Sequence, residues 1–483
     1  MEEIDVSSVA RKSIQGVLAL TSRTFFIQVV SFGANFLLTI FLSPAVFGVF
    51  FVVSAVIAFL SYFSDVGLAA ALIQKKEDIT QEDLKTTFTI QQILVVILVI
   101  LVLVFSTAIG KFYNLQNEGI LLIQALAISF FLSSLKTIPS IILERNLNFN
   151  KLVIPQIVET LFFNIIVVIL AIKGFGVASF TYAVLARGIS GLITIYLISP
   201  WKIRLGFSKD SARKLLSFGV PFQLNSLLAL IKDDLFIAFL GKVLPLTQVG
   251  YIGFAQKWAL MPLRLIMDNV IRITFPSFSR LQDEKHILTK AIEKSIFASC
   301  FVIFPALMGL VILSPYFVIL IPKYIKWEPA LFSLLFFSIT SAVASISTPL
   351  VNALNAIGKI KTTLYLMAFW TISTWVLTPI LIIKLGFNGV SLASAIISLS
   401  VIAVITITRR YIDFNVINAI LYPLASSIIM GIAVYFMSQF LAKSLLGLFL
   451  VIILGAVIYF LTAYLLGKEQ IKKDILLIKQ NLR

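Results

Sequence analysis

Residues 88–109 read FTIQQILVVILVILVLVFSTAI, and these 22 residues include no charged side chain. A helix of this length is about 33 Å long at 1.5 Å per residue, enough to cross the hydrocarbon core of a bilayer. The run is unbroken and does not alternate between polar and apolar residues, as the strands of a membrane barrel would. The stretch therefore predicts a transmembrane helix.

Similar apolar runs recur along the whole chain. Of the 483 residues, 59% are hydrophobic and 13% are charged, whereas soluble domains are about 45–50% apolar and 25% charged. This composition excludes a soluble protein and predicts an all-α polytopic membrane protein with about 14 transmembrane helices. The predicted spans are 17–41, 47–71, 88–109, 119–143, 152–172, 176–198, 216–240, 249–271, 291–312, 329–353, 362–383, 389–408, 415–438 and 445–466.

The basic residues predict how the chain is oriented. With the N-terminus inside, 25 Lys and Arg residues fall in cytoplasmic segments and 7 fall in outside segments. Because cytoplasmic loops carry the excess of basic residues, we expect an even number of spans with both termini in the cytoplasm. The net charge of +17 then reflects topology and gives no reason to expect nucleic-acid binding.

The scarcity of reactive side chains argues against an enzyme. Cys300 is the single cysteine and His286 the single histidine, which excludes an intramolecular disulfide and a Cys/His metal cluster. The sequence has no Walker motif for ATP. We therefore expect no catalytic residue, no metal site and no cofactor.

Three pairs of similar segments indicate an internal repeat. Equivalent segments lie about 200–213 residues and six spans apart, so the two halves have the same orientation in the membrane. We predict two six-helix lobes around a central cavity, over 1–212 and 213–412. Two further spans follow over 413–467, and an amphipathic cytoplasmic helix over 468–483. The pairs are Gly174–Ser179 with Gly386–Ser391, Arg145–Lys151 with Asn352–Lys359, and Pro44–Gly48 with Pro245–Gly250.

Charged residues inside the predicted spans indicate the function. A charge at the centre of a membrane helix costs roughly 2.5–3.5 kcal/mol if it faces lipid, so these groups are expected to face protein or water. One interpretation is a set of ion pairs between helices, or of side chains that reach the interface. We favour the other, a water-filled cationic cavity between the lobes for an anionic substrate, because the bases outnumber the acids. The residues are Arg23, Lys136, Arg187, Lys232, Lys257, Arg264 and Arg272, with Asp65, Glu159, Asp233, Asp234 and Asp268.

The predicted span 249–271 has the clearest charge pattern. Lys257, Arg264, Asp268 and Arg272 fall on one helix face about 80° wide. The i,i+4 spacing allows Asp268 to pair with either arginine, and Arg272 is close enough to the cytoplasmic boundary to be an interfacial anchor. The predicted substrate-binding residues are Lys257, Arg264, Arg23, Lys136, Arg187 and Lys232.

Three further segments carry a family resemblance, namely Phe41–Gly48 (FLSPAVFG), Ser64–Lys76 (SDVGLAAALIQKK) and Arg145–Phe149 (RNLNF). Together with the order and length of the spans, they resemble the polysaccharide-transport, Wzx-type oligosaccharide flippase branch of the MOP (multidrug/oligosaccharidyl-lipid/polysaccharide) superfamily. The resemblance implies a two-lobe, alternating-access transporter in a bacterial or archaeal plasma membrane. Such a flippase moves a polyprenyl-diphosphate-linked oligosaccharide from the inner to the outer leaflet, for assembly of cell-surface polysaccharide such as lipopolysaccharide.

The resemblance also implies the partners, which are the lipid-linked oligosaccharide diphosphate, membrane lipids and other polysaccharide-assembly proteins. Coupling to H⁺ or Na⁺ through Asp65, Glu159, Asp233 or Asp268 and simple downhill flipping are both left open. The alternatives are a cation-coupled multidrug or metabolite antiporter, whose cavity would be anionic, and a lipid II flippase, which differs only in cargo. A membrane glycan polymerase or ligase is least expected, because it would need a sizeable outer loop.

Overall fold

The structure is a computed structural model. It describes the backbone over residues 6–75 and 77–481, and the side chains over 22–75, 77–220, 223, 227–268, 270–271 and 274–467. Over these ranges the fold consists of helices, with two short 3-10 segments at Tyr62–Ser64 and Tyr324–Ala330 and no strand. The chain is therefore all-α, as its sequence predicts.

Eighteen α-helices are formed within the described backbone. The last of them continues through the predicted tail helix, whose side chains lie outside the described residues. The helices are α1 (Val6–Phe41), α2 (Pro44–Ser61), α3 (Leu68–Gln74), α4 (Gln81–Phe112), α5 (Asn117–Ser134), α6 (Thr137–Arg145), α7 (Phe149–Ile172), α8 (Ala178–Ile198), α9 (Lys209–Lys232), α10 (Asp234–Val243), α11 (Leu246–Arg280), α12 (Lys285–Leu320), α13 (Leu331–Ala356), α14 (Ile360–Leu385), α15 (Asn388–Ser398), α16 (Val401–Arg409), α17 (Val416–Leu441) and α18 (Leu445–Asn481).

Twelve helical segments in the described part of the chain are long and apolar enough to cross a membrane. This confirms a multi-pass membrane protein. Two predicted spans are outside that set: 216–240, which corresponds to α9 and α10, and 249–271, which lies within α11. Both contain charged side chains and residues outside the described set, so the total of 14 spans stays a prediction.

Some predicted spans are interrupted by a turn. The span 47–71 consists of α2 and α3, and between them Val66 and Gly67 have φ angles of 49° and 73°. This left-handed backbone ends a helix; glycine adopts it readily, whereas a β-branched residue is strained there. One continuous helix over 47–71 is therefore corrected to two. Further breaks separate α5 from α6 at Leu135–Lys136, α9 from α10 at Asp233, and α15 from α16 at Leu399–Ser400.

Packing divides the chain into two units, Met1–Gly250 and Tyr251–Arg483. In the first unit, α7 packs against α1 and α8, and α5 packs against α4 and α8. The helix α9 packs against α3, and α10 packs against α2. In the second unit, α12 packs against α13 and α17, and α15 against α13 and α14. The first unit thus extends beyond the predicted limit at residue 212. A repeat is defined by sequence, whereas a packing unit is defined by contacts, so the two need not have the same limits. The predicted domain limits therefore stay a prediction.

Polar contacts fix the loop between α3 and α4, and with it the position of α6. Lys75 Nζ lies 2.6 Å from Asp83 Oδ2, and Thr80 Oγ1 accepts the backbone N–H of Asp83 at 3.1 Å, which caps α4. Arg145, the last residue of α6, donates to the carbonyl oxygens of Leu72 and Lys75. The short helix α6 is thereby held at one end of α3, and the turn before α6 carries Lys136.

The turn between α2 and α3 packs directly on α9. The Tyr62 hydroxyl donates to the carbonyl oxygen of Gln223, and Gln223 Nε2 donates to the carbonyl oxygen of Tyr62 at 2.7 Å. One helical turn earlier on α9, a Cβ added to Gly219 would lie 2.6 Å from the carbonyl oxygen of Val66. The two backbones therefore meet at Gly67 and Gly219 with no room for a side chain.

A second close contact joins the first turns of α2 and α11, within the first unit. A Cβ on Gly48 would overlap the carbonyl oxygen of Leu246, and a Cβ on Gly250 would overlap that of Pro44. Within each segment the glycine follows the residue with the contacting carbonyl by four positions, since Gly48 follows Pro44 and Gly250 follows Leu246. The contact is thus reciprocal, and it joins one of the predicted pairs of similar segments.

The contact at Gly219 predicts a difference between two Gly→Ala substitutions. Gly219→Ala should lower the free energy of unfolding by about 1–3 kcal/mol, because the added methyl group overpacks the backbone of Val66 and Gly67. Gly33→Ala in α1 is the control, since nothing lies within 4 Å of its added Cβ. It should leave stability unchanged or raise it by up to about 1 kcal/mol. Denaturant titration of the purified protein in detergent measures both, and equal midpoints would contradict the close contact.

Candidate cationic site

A buried carboxylate in the first unit is paired with two cations. Glu159 on α7 is 8% exposed. Lys136 Nζ forms a short ion pair with Glu159 Oε1, and Arg187 Nε on α8 lies 3.7 Å from Glu159 Oε2. The three residues are far apart in sequence, and all three were predicted as site residues from their place within spans.

The local sequence explains how Glu159 reaches this position. Lys136 lies in the turn between α5 and α6, which directs its side chain to α7. Gly191 follows Arg187 by four residues on α8, and a Cβ at Gly191 would overlap the Glu159 carboxylate. The close packing of α7 on α8 therefore places the carboxylate against a bare backbone, where any larger residue would displace it.

A third cation contacts the same face of α7. Arg23 on α1 donates to the side-chain oxygen of Gln156 and, through NH2, to Thr24 Oγ1 at 3.2 Å. Gln156 precedes Glu159 by three residues, so both lie on one face about 4.5 Å apart along the axis. On this face of α7, Glu159 contacts Lys136 and Arg187, and Gln156 contacts Arg23. We call these four charged residues the α7 cluster; its formal charge is positive.

The members of the α7 cluster differ in exposure. The side chains of Lys136 and Glu159 are 14% and 11% exposed, whereas that of Arg187 is 57% exposed. Arg187 lies near the middle of α8. A guanidinium group at that depth is costly in contact with lipid, so its exposed surface favours a water-accessible setting.

The second unit contributes exposed charges on α11. Lys257, Arg264 and Asp268 are exposed. Arg264 and Asp268 do not approach within the 4.0 Å of an ion pair, although their spacing allows it. The side chain of Arg272 lies outside the described residues. We call Lys257, Arg264 and Asp268 the α11 face.

The other predicted residues lie elsewhere. Lys232 Nζ is 3.5 Å from Asp233 Oδ1 at the break between α9 and α10, where Asp233 is 66% exposed. An exposed pair of this kind contributes little to stability. Asp65 Oδ1 accepts the backbone N–H of Ala69 at 3.3 Å, in the first turn of α3. None of these three residues forms a described ion pair with the α7 cluster.

Two residues that contact the α7 cluster, Gln156 and Gly191, were not predicted from the sequence. Gln156 could have been found, because an amide three residues before a glutamate inside an apolar span marks a polar helix face. Gly191 could not, because its importance comes from the distance between α7 and α8. Sequence alone does not give that distance.

The fold is shared with solved transporters. The lipid II flippase MurJ, in an inward closed conformation, superposes with a TM-score of 0.77 at 17% identity, over 94% of this chain and 99% of that chain. This similarity establishes the fold.

Comparison with related sequences identifies the family of this chain. The teichuronic acid biosynthesis protein TuaB of Bacillus subtilis is 25% identical over 393 residues, covering 80% of this chain and 77% of TuaB. The lipopolysaccharide biosynthesis protein WzxC of Escherichia coli is 24% identical over 358 residues, covering 73% of this chain and 72% of WzxC. The family model described as polysaccharide biosynthesis protein matches residues 37–331, which is more than half of the chain. The chain therefore belongs to the polysaccharide biosynthesis protein family.

Proposed function

We propose that this protein is a flippase that moves a polyprenyl-diphosphate-linked oligosaccharide from the inner to the outer leaflet, and that it performs no chemical reaction. The observation that carries the proposal is the α7 cluster, in which Lys136 and Arg187 pair with the Glu159 carboxylate and Arg23 binds Gln156 on the same helix. The excess positive charge needs an anionic partner, and a diphosphate supplies one.

The chemistry of such a cargo fits the residues present. Arginine binds phosphate oxygens through two parallel hydrogen bonds, and lysine binds them as a point charge. The glycan needs a wet path, for which the exposed α11 face and Arg187 are suited. The polyprenyl chain can stay in the lipid, so only the head group has to cross the membrane.

The relatives support the same class of cargo. TuaB and WzxC are named for teichuronic acid and lipopolysaccharide, which are different polysaccharides. Because both names refer to the biosynthesis of glycan polymers, we propose a lipid-linked glycan as the class of cargo. A multidrug antiporter is disfavoured, because positively charged drugs require anionic walls and the α7 cluster has the opposite sign.

The proposal includes a location and an orientation. A flippase of this kind works in the plasma membrane of a bacterium or archaeon, beside the proteins that assemble the polysaccharide. The excess of basic residues in alternate loops supports cytoplasmic termini. The proposed substrate contacts are Arg23 and Arg187 in the first unit and Lys257 and Arg264 in the second. Lys136 contributes positive charge beside Glu159, and Lys232 makes a peripheral contribution.

Coupling to H⁺ needs a carboxylate that is free to change its protonation. Glu159 is compensated by two cations, Asp65 binds the backbone of α3, and Asp233 pairs with its neighbour. Asp268 is exposed on the same helix as Arg264. We therefore propose Asp268 as the carboxylate that couples transport to H⁺.

Removing a cation should reduce transport. Arg187→Gln and Arg264→Gln are each expected to lower the flipping rate about tenfold or more, because each removes charge-assisted hydrogen bonds to phosphate. Lys173→Gln, an exposed lysine at the end of α7, is the control with the same change in charge. The measurement is flipping of a short-chain polyprenyl-diphosphate oligosaccharide in proteoliposomes containing equal amounts of folded protein. Wild-type rates in both arginine variants would exclude them from the path.

Substitution of Asp268 tests coupling. An imposed pH gradient should accelerate transport by the wild-type protein, and Asp268→Asn should make the rate independent of the gradient because the amide cannot release a proton. Asp210→Asn, at an exposed carboxylate in the first turn of α9, should keep the gradient dependence. A gradient effect that persists in Asp268→Asn would rule out this residue as the coupling group.

A further inference from the structure

The two cations paired with Glu159 are held very differently. Lys136 is almost buried and its ammonium group makes a close ion pair with Glu159 Oε1. Arg187 approaches the other oxygen only to 3.7 Å, through Nε, and more than half of its side chain is exposed. The first contact is a tight, shielded ion pair and the second a loose one open to its surroundings.

The carboxylate itself has little freedom to move. Glu159 is buried, lies against the backbone of Gly191 and is tied to Lys136. Arg187, by contrast, has a long flexible side chain, and no hydrogen bond joins its guanidinium group to another side chain among the described residues. If the contact between them breaks, Arg187 is the partner that moves.

A diphosphate is the stronger partner for this arginine. A partly exposed ion pair at 3.7 Å contributes little, whereas a phosphate offers several oxygens to the planar guanidinium group and binds it through two hydrogen bonds. The exchange is favourable for Arg187 because Lys136 keeps Glu159 compensated after Arg187 has left. Without either cation, the buried carboxylate would be destabilised by its full desolvation free energy.

We propose that Glu159 is an internal counter-anion, which holds Arg187 while the site is empty and yields it to the diphosphate of the cargo. Lys136 is the positioning residue that compensates Glu159 when Arg187 leaves. The inference rests on the proposed function, which supplies the diphosphate. It separates the roles of two predicted substrate-binding residues: Arg187 contacts the cargo, and Lys136 acts through Glu159.

Binding of a short-chain polyprenyl diphosphate, geranyl diphosphate, tests this exchange, with geraniol as the uncharged control. Calorimetry on the purified full-length protein gives the Kd. Glu159→Gln should lower the Kd about threefold, because Arg187 no longer has to leave an ion pair. Lys136→Gln should raise the Kd, because Glu159 then holds Arg187 alone. The double variant Lys136→Gln/Glu159→Gln should return to the low Kd of Glu159→Gln.

The background of Arg187→Gln separates exchange from general electrostatics. Arg187→Gln should raise the Kd about tenfold, and adding Glu159→Gln should then have no further effect. A general loss of negative charge would instead tighten binding in both backgrounds, and Glu118→Gln, at a remote exposed carboxylate, controls for it. If the double variant stays as weak as Lys136→Gln, Lys136 binds the cargo directly and the proposal is overturned.

Further readouts keep the test decisive. If Glu159→Gln does not fold, as judged by gel filtration and melting, Gly191→Ala replaces it, because the added methyl group displaces the carboxylate and should also lower the Kd. A purely structural ion pair would reduce the melting temperature of both single variants and leave the Kd unchanged, which would overturn the proposal. Wild-type flipping without these shifts in Kd would reject the exchange alone. The predicted shifts without any flipping would reject the proposed function alone.

Discussion

A carboxylate buried among membrane helices has to be compensated where it lies, and in this protein that requirement organises one face of the first unit. Glu159 on α7 forms ion pairs with Lys136, in the turn before α6, and with Arg187, on α8. The bare backbone of Gly191 leaves space for it. The helices α6, α7 and α8 are thus arranged around one charge, and Arg23 is added through Gln156. The cluster therefore carries more positive charge than the compensation of one carboxylate requires.

Much of this arrangement could be predicted from the sequence. Apolar runs identified the membrane helices, because about 20 apolar residues have few alternatives to crossing a bilayer. The charges within those runs identified Arg23, Lys136, Glu159 and Arg187, because charges inside spans have to be used or compensated. The structure brings these four residues to one helix face.

The rest depends on contacts between distant residues. The turn at Val66 and Gly67 interrupts a run that reads as one span, and the backbone of Gly219, about 150 residues away in the chain, packs against it. The same applies to Gly191, whose role comes from the spacing of two helices. Asp65 is a predicted coupling residue because it lies inside a span, and the sequence could not show that its carboxylate accepts the backbone N–H of Ala69 at the start of α3.

The reciprocal contact of Gly48 with Leu246 and of Gly250 with Pro44 has a consequence for how such a chain can evolve. The two glycines belong to the similar segments Pro44–Gly48 and Pro245–Gly250, and each packs against the backbone of the other segment. Neither segment can therefore acquire a bulkier residue at its glycine without a compensating shift in the other. The two positions share one steric limit, although about 200 residues separate them in the chain.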